Sequence, residues 1–408
     1  MIKTPEDFKV HVAKIEAAPG YRKPLGFGLC RIVKGQIHPD KILTCMFPVL
    51  NWQENHGSAA IFWDAAGLNP DQNSETVASI SEDFLKKALA AFAPYLADAQ
   101  GDQHRNVQLI QTLDRLLKDK AVKLEDYRLV FIFEDKPPQS VPAIYLKLLA
   151  LSAGKAKLRG LALDGIFGKL ENVAWVGQQP YELDYLRQNE IEMKLAGTYP
   201  AIDCVDKFPR YLMHIIPADN TRILDTGKVR FGAQLAAGTT VMPGASYINF
   251  NSGTLGPVMV EGRVSSSVVV GAGSDIGGGA GILGVLSGGN AIPITIGEKC
   301  LLGVNSVTGI PLGDGCIVDA GVSVLAGTRV FMDEKAMADL AAVNPGFDFK
   351  GQAVRHHSDS KFYEFKAAAL TGLNGLHFRT DSATGRMMVK RSAREVALNE
   401  ALHQTKAR

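Results

Sequence analysis

The chain has 408 residues, 46% of them hydrophobic and 21% charged, and its 44 Lys and Arg against 42 Asp and Glu leave a net charge of +2. With no basic block, that balance gives no footprint for nucleic acid or an anionic membrane surface, and no apolar run reaches the ~20 residues of a spanning helix. The first residues, Met-Ile-Lys-Thr-Pro-Glu-Asp, lack the apolar core of a signal peptide, and the five cysteines (Cys30, Cys45, Cys204, Cys300 and Cys316) are odd in number with no CxxC spacing, which reads as buried thiols in a reducing, cytoplasmic setting.

The N-terminal part reads as ordinary α/β sequence. Leu25 to Val33, Ile42 to Leu50 and Ala59 to Trp63 read as strands. Residues 82–97 place Phe84, Leu85, Leu89, Phe92 and Leu96 at helical spacing, as residues 106–118 do with Val107, Ile110, Leu113 and Leu117. A polar break from Lys118 to Asp126 precedes a buried-type strand, Leu129 to Phe133. Pro137-Pro138 marks a turn, and Val141 to Ala153 a helix. Boundaries near 120 and 220 divide this part into an N-terminal α/β domain, 1–120, and a second α/β region, 121–220.

From 221 to 332 the composition changes. Residues 229–330 hold 22 of the 41 glycines but only four Lys and Arg and five Asp and Glu. Aliphatic residues recur every six positions at Val229, Leu235 and Val241. One residue out of phase they resume at Val258, Val264, Val270, Ile276 and Ile282. After a loop from Gly284 to Thr295 the beat returns at Ile296 and Leu302, then Leu312, Val318, Val324 and Val330. Such a period builds a parallel β-helix, with the aliphatic residue inward and a small residue beside it at the corner. Glycine suits these corners because it tolerates positive φ. A flexible Gly-rich linker would not keep the beat. Gly271-Ala-Gly273 and Gly277-Gly-Gly279 lack the strand and helix context of a nucleotide loop and fit coil corners instead. Residues 333–408 form a C-terminal segment, with a short helix from Met332 to Leu340, a helical stretch from Lys361 to Leu370, and a hairpin from Phe378 to Val389 turning near Gly385.

None of the nine histidines falls within 229–330, so a proton acceptor supplied by the coils must be a carboxylate. Cys300 and Cys316 alone are two ligands short of a structural zinc site, and His356-His357 reads as a solvated loop rather than a ligand pair. Asp275, Glu298, Asp314 and Asp319 recur at corners or face edges, where structural roles are expected. Glu261 differs. Between Phe231 and Ser274 it and Arg263 are the only charged residues. A carboxylate on a poorly hydrated wall suits proton abstraction; the bland alternative is a surface Glu–Arg pair of little energetic weight.

Asn249-Phe-Asn-Ser-Gly-Thr-Leu-Gly-Pro-Val-Met-Val-Glu-Gly-Arg263, Gly273-Ser-Asp-Ile-Gly-Gly-Gly-Ala280, Leu286-Ser-Gly-Gly289 and Cys300-Leu-Leu-Gly-Val-Asn-Ser306 together resemble the tetrahydrodipicolinate N-succinyltransferases, the actinobacterial type in particular. The likeness is nearly continuous from Val229 to Val330. It is followable through Lys366, Phe378-Arg379 and Ala397-Leu-Asn-Glu400, and loose over the first 200 residues. It implies a left-handed parallel β-helix of hexapeptide repeats after an α/β N-terminal region, with a small C-terminal α+β segment, assembled as a homotrimer with active sites between subunits. The implied reaction moves a succinyl group from succinyl-CoA, a co-substrate rather than a tightly bound cofactor, to the amine of L-2-amino-6-oxopimelate (opened tetrahydrodipicolinate) in lysine and diaminopimelate biosynthesis. Glu261 matches the family's catalytic glutamate, described either as a base or as the carrier of an acyl anhydride. Arg263, Gly278, Gly281, Val304, Asp319, Ala320 and Gly327 match acyl-CoA contacts, as do Lys366, Arg379, Thr380, Asp381 and Ser382 toward the nucleotide. Gly281, Val304 and Asp319 replace Ser, Ala and Glu of the actinobacterial pattern, and Thr380-Asp381 replaces Arg-Asn. The two acidic positions described there as holding a divalent cation read here as Lys228 and Ala245, which argues against a magnesium site. Acyl transfer from another donor such as acetyl-CoA is the neighbouring reading. A β-helix nucleotidyltransferase is opposed by the lack, in residues 1–60, of a Gly-rich loop with following basic residues. A non-catalytic trimeric scaffold leaves Glu261 and Arg263 unexplained.

Overall fold

The computed structural model describes residues 2–69, 73–285, 292–357, 361–393, 396–399 and 403. The Leu286 to Gly289 motif and Glu400 lie outside them. The chain forms two compact units, residues 1–150 with 160–209, and residues 151–159 with 210–408. No described helix is long and apolar enough to cross a membrane.

The first unit is built on an antiparallel sheet. Strand β1 (Gly26–Lys34) pairs with β2 (Ile42–Met46), β3 (Asn51–Trp52) and β5 (Tyr127–Ile132), and β4 (Glu75–Ser79) pairs with β5. Helices α1 (Pro5–Glu16), α2 (His56–Ala65), α3 (Glu82–Ala91) and α4 (Arg105–Lys118) contribute to a core with Phe27, Leu29, Leu129 and Phe131 from the sheet. Three sequence expectations are corrected. Ala59 to Trp63 lies in α2, not a strand; all five residues are buried, and a short apolar run is ambiguous until its Ala-rich flanks extend it. The strand from Ile42 stops at Met46, before Pro48, which cannot donate to the ladder. The helix from Glu82 ends at Ala91 and tightens into a 3₁₀ turn over Ala93–Tyr95 around Pro94. The polar break at 118–126 leads from α4 into β5, which sits between β1 and β4, so a division near 120 would cut one sheet. Residues 141–152 form a helix, as expected.

The second unit is the parallel β-helix. One face stacks Thr240–Val241, Met259–Val260, Asp275–Ile276, Leu301–Leu302 and Ile317–Val318. A second stacks Tyr247–Ile248, Arg263–Val264, Gly281–Ile282, Val307–Thr308 and Ser323–Val324. A third stacks Gly253–Thr254, Val269–Val270 and Thr295–Ile296. The second residue of each pair points inward and is buried. The beat is six except at three described steps. Between Val241 and Ile248 it is seven, and from Val260 to Val264, as from Thr308 to Leu312, it is four. Val260, rather than Val258, therefore holds the paired strand position before Val264, though both are buried, and Glu261-Gly262-Arg263 forms a shortened corner.

The corner glycines serve two purposes. Gly277 and Gly303 are required by close stacking: a Cβ on Gly277 would stand 2.6 Å from the Leu302 carbonyl oxygen, and one on Gly303 would stand 2.5 Å from the Ala320 amide nitrogen. Positive φ falls two residues later, at Gly279 (+72°) and at Asn305 (+57°) in the next coil. The expected reason for the first glycine, freedom in φ, thus applies to the third.

The C-terminal segment completes the coil. Phe378 pairs in parallel with Val318, and the hairpin of Leu376–Thr380 and Met387–Arg391 turns at Gly385, φ +67°. Residues 334–341 form the expected short helix, capped by the Asp333 side chain. The expected helix from Lys361 to Leu370 is instead the strand Phe362–Lys366, antiparallel to Arg329–Asp333, followed by a 3₁₀ turn. Pairing to an open strand edge and burial of Phe365 override helical propensity there. His356 and His357 belong to a strand, not a loop; His356 stacks on Tyr363, and His357 Nε2 is 2.8 Å from a Glu364 carboxylate oxygen. Arg159 packs into the same unit. Its guanidinium donates to the carbonyls of Ser267 and Ile294 and to Thr295 Oγ1. At the start of the coil the His214 ring stacks on Phe231, centroids 4.0 Å apart.

Two outcomes follow. Gly303→Ala should lower unfolding stability by about 1–3 kcal/mol, the scale of an overpacked site, whereas Gly327→Ala, with open space around it, should change it by no more than about 0.5 kcal/mol; denaturant titration of both checks this. Burial lowers the His214 pKa from 6.5 to about 3. The unfolded chain therefore binds more protons than the folded one between those values, and stability should fall as pH drops from about 6.5 toward 3. Part of the residue still meets water, so the slope stays below the one-proton limit of about 1.4 kcal/mol per pH unit. Replacing His214 by Phe should flatten the denaturation midpoint over that range.

Candidate active site

The chain leaves the first face and turns toward the second at one edge of the prism, and that edge gathers most of the expected site residues. Glu261 follows Val260, Gly277 and Gly278 follow Ile276, Gly303 and Val304 follow Leu302, Asp319 and Ala320 follow Val318, and Arg379 follows Phe378. Backbone bonds fix the stacking. Glu261 N–H donates to the Ile276 carbonyl at 2.8 Å, and Gly279 N–H donates back to Glu261 O at 3.2 Å. Asn305 N–H donates to Gly278 O at 2.9 Å, Gly321 N–H to Val304 O at 2.8 Å, and Asp319 N–H to Phe378 O at 3.0 Å. Residues far apart in sequence thus stand one coil apart, about 4.8 Å.

Glu261 is half-buried, and its carboxylate lies alongside Gly278, where a Cβ would stand 3.7 Å from Oε2. Arg263 is exposed and opens the second face. A Cβ on Gly281, its neighbour in register, would lie 3.0 Å from Arg263 Nη2, so the Gly281 that replaces Ser leaves room for the guanidinium. Among the described residues neither the Glu261 carboxylate nor the Arg263 guanidinium has an ion-pair or hydrogen-bond partner, which rules out the surface Glu–Arg pair. Beyond Glu261 the wall is small and uncharged as far as Asp319, with Val304 54% exposed on it.

Asp319 is engaged. His377 Nε2 stands 2.7 Å from Asp319 Oδ1. Asp381 is engaged too: it accepts from the Ala383 N–H at 2.9 Å, and backbone hydrogen bonding first of all holds its pKa below the usual carboxylate value. Thr380 is exposed at the end of its strand, and Ser382 is exposed in the turn. Gly327 and Lys366 lie elsewhere. They sit around the corner after Val324, where Ala368 N–H donates to Ala326 O at 3.0 Å and Lys366 is in register with Arg329. Within one chain they do not join the edge carrying Glu261. Of the corner acids, Asp314 has the structural role expected: Oδ1 accepts from Glu298 N–H at 2.8 Å. Cys300 and Cys316 are buried in successive coils, free of disulfides.

Sequence reasoning missed His377 and Tyr247. Tyr247 is in register with Arg263 and carries the Arg230 guanidinium over its ring, 5.9 Å from the centroid. Only the lone tyrosine in a Gly-rich repeat hinted at it, and His377 had no signal beyond standing next to Phe378-Arg379. The Lys228 ammonium donates to Gly244 O at 2.7 Å beside Ala245. The ammonium already occupies this place, with Asp225 3.9 Å away, and the described residues gather no group of three or more acidic, His or Cys side chains, so these residues do not fit a divalent metal.

Profiles of known families match nearly the whole first unit and the later coils: the tetrahydrodipicolinate N-succinyltransferase N-terminal region over residues 6–168, the middle region of the same enzymes over 170–210, and the hexapeptide repeat of succinyl-transferase over 293–326. The 2,3,4,5-tetrahydropyridine-2,6-dicarboxylate N-succinyltransferase of Sulfurovum sp. is 57% identical, over 98% of this chain and 99% of its own. The enzyme of the same name from Nitratiruptor sp. is 56% identical, over 99% and 100%. A Campylobacter jejuni crystal structure solved under the name 2,3,4,5-tetrahydropyridine-2-carboxylate N-succinyltransferase superposes with a TM-score of 0.88 at 50% identity, covering 97% of this chain and all of that one. The likeness thus extends through the first 200 residues, where the motifs alone carried it only loosely, and the chain belongs to the tetrahydrodipicolinate N-succinyltransferase family.

Proposed function

We propose that the edge from Glu261 to Arg379 holds succinyl-CoA and that Glu261 is the base of an N-succinyl transfer. The chain is an acyl-CoA-dependent N-succinyltransferase, and the acceptor is the amine of L-2-amino-6-oxopimelate, the opened form of tetrahydrodipicolinate. The observation that supports the site is the pair of unpartnered charges on the shortened corner, Glu261 facing the Gly278 wall and Arg263 two residues on over Gly281. An amine that arrives as an ammonium must lose a proton before it attacks a thioester. The free, half-buried Glu261 carboxylate takes that proton. The nitrogen then adds to the thioester carbonyl, and the tetrahedral intermediate collapses as the carbon–sulfur bond breaks. The proton on Glu261 passes to the departing thiolate, and the second proton, on the newly acylated nitrogen, is released to solvent. Arg263 offers a fork of donors for the succinyl carboxylate, which sets a dicarboxylate donor apart from acetyl-CoA. The glycine wall admits the pantetheine arm without steric conflict, and Arg379 with Thr380 and Ser382 reaches toward the nucleotide.

Gly327 and Lys366, which lie at another corner, enter this reading as contacts supplied across a subunit boundary in a left-handed coil assembled as a trimer. The five free cysteines support a reducing, cytoplasmic location.

With L-2-aminopimelate as a stable acceptor and thiol release as the readout, Glu261→Gln should lower kcat by at least about a hundredfold, within the range of a general base, and leave the KM for succinyl-CoA near its starting value. Unchanged turnover would remove Glu261 from the chemistry. Arg263→Ala should reduce the preference for succinyl-CoA over acetyl-CoA by about tenfold or more, the scale of a lost charged contact; an unchanged preference means another group reads the donor's carboxylate.

A further inference from the structure

Asp319 is out of character with the edge on which it stands. Between Glu261 and the hairpin the wall consists of Gly277, Gly278, Gly303, Val304 and Ala320, and Asp319 brings a carboxylate to the part that, on the reading above, lies nearest the phosphates of the donor. A bare carboxylate there would repel a polyanion. The structure gives it a partner from a different part of the chain. His377 lies on the hairpin strand that pairs in parallel with the last coil, in register with Ile317 on one side and Lys390 on the other. Its Nε2 reaches diagonally to Asp319 Oδ1 at 2.7 Å, while the Asp319 N–H donates to the carbonyl of Phe378, one residue on. A carboxylate only accepts, so Nε2 is the donor. Backbone and side chain of Asp319 are both tied to the same strand, and both side chains stay partly open to solvent, at 41% for Asp319 and 22% for His377.

We propose that His377 is a positioning residue for the acyl donor: by holding the Asp319 carboxylate against the hairpin strand, it keeps that negative charge away from the phosphate-bearing end of the CoA. Arg379, two residues along the strand, is then not engaged by Asp319. The inference rests on the placement of succinyl-CoA along this edge, and it adds a residue and a role to that placement.

The test is a KM-against-kcat comparison on the full-length enzyme, with thermal unfolding of each variant measured alongside. His377→Phe should raise the KM for succinyl-CoA about tenfold and change kcat by less than about twofold, because no reacting atom is touched. The defect should shrink at about 0.5 M salt, where charge repulsion is screened. Adding Asp319→Asn to His377→Phe should lower KM relative to His377→Phe alone, because the repelling charge is then gone. His377→Gln, which keeps an N–H donor, should hold KM near wild type and guards against misreading a folding defect. With succinyl-pantetheine, which lacks the nucleotide, His377→Phe should have no effect on KM. An unchanged KM for succinyl-CoA overturns the proposal. So does an increase of equal size with both donors that Asp319→Asn does not relieve, since that marks a purely structural contact. If Glu261→Gln and Arg263→Ala also leave the kinetics untouched, the placement of the donor has failed. If they behave as expected while His377→Phe is silent, only the role of His377 falls.

Discussion

Backbone hydrogen bonds between successive coils are the constraint on which the second unit depends. Each inward Val, Ile or Leu can be buried only if the coil above stacks in register, and stacking requires that nothing stand out from the backbone where the chain turns. Gly277 and Gly303 meet that demand by having no side chain where the next coil passes within van der Waals distance. The same demand keeps Gly277 and Gly303 free of side chains on the edge that follows the first face, so an uncharged stretch of wall lies between Glu261 and Asp319. A ligand with a long flexible arm can lie on such a wall because the stacking has already cleared it.

Within that frame the shortened corner at Glu261-Gly262-Arg263 matters most. A four-residue step from Val260 to Val264 allows no ordinary corner, and Gly262 fits because a Cβ would strike the Ala280 carbonyl. The two residues flanking it point away from the interior with no partner among the described residues. An exposed ion pair would add little to stability; two separate, unsatisfied charges add less, so their presence is better explained by what they bind. Asp319 shows the opposite treatment on the same edge, its carboxylate bound by His377. On the proposed reading, the charges left free are those the chemistry uses, and the one that would interfere is held.

The repeat, the neutral character of its edge and the isolation of Glu261 were legible in the sequence because a six-residue beat repeats a local geometry many times and averages out local ambiguity. Where a segment occurs once, the reading was weaker. Ala59 to Trp63 looked like a strand because a five-residue apolar run carries no period, and only its Ala-rich flanks and burial on all sides made it helix. Lys361 to Leu370 looked helical but pairs with Arg329–Asp333, since an unpaired strand edge at the end of the coil offers more than local propensity.

The sequence by itself determined the solenoid and which residues line its interior and its corners. It also marked out Glu261 with Arg263, because composition and periodicity are properties of adjacent residues. Tertiary structure alone decided that Gly278, Val304, Asp319 and Arg379 lie along one edge, and that Gly327 and Lys366 stand at another corner. It alone showed that Val260 rather than Val258 takes the paired strand position, and that a histidine 58 positions along the chain holds Asp319. These depend on how many residues each coil spends on its turns, and a step of four instead of six shifts every later neighbour without leaving a mark that composition can show.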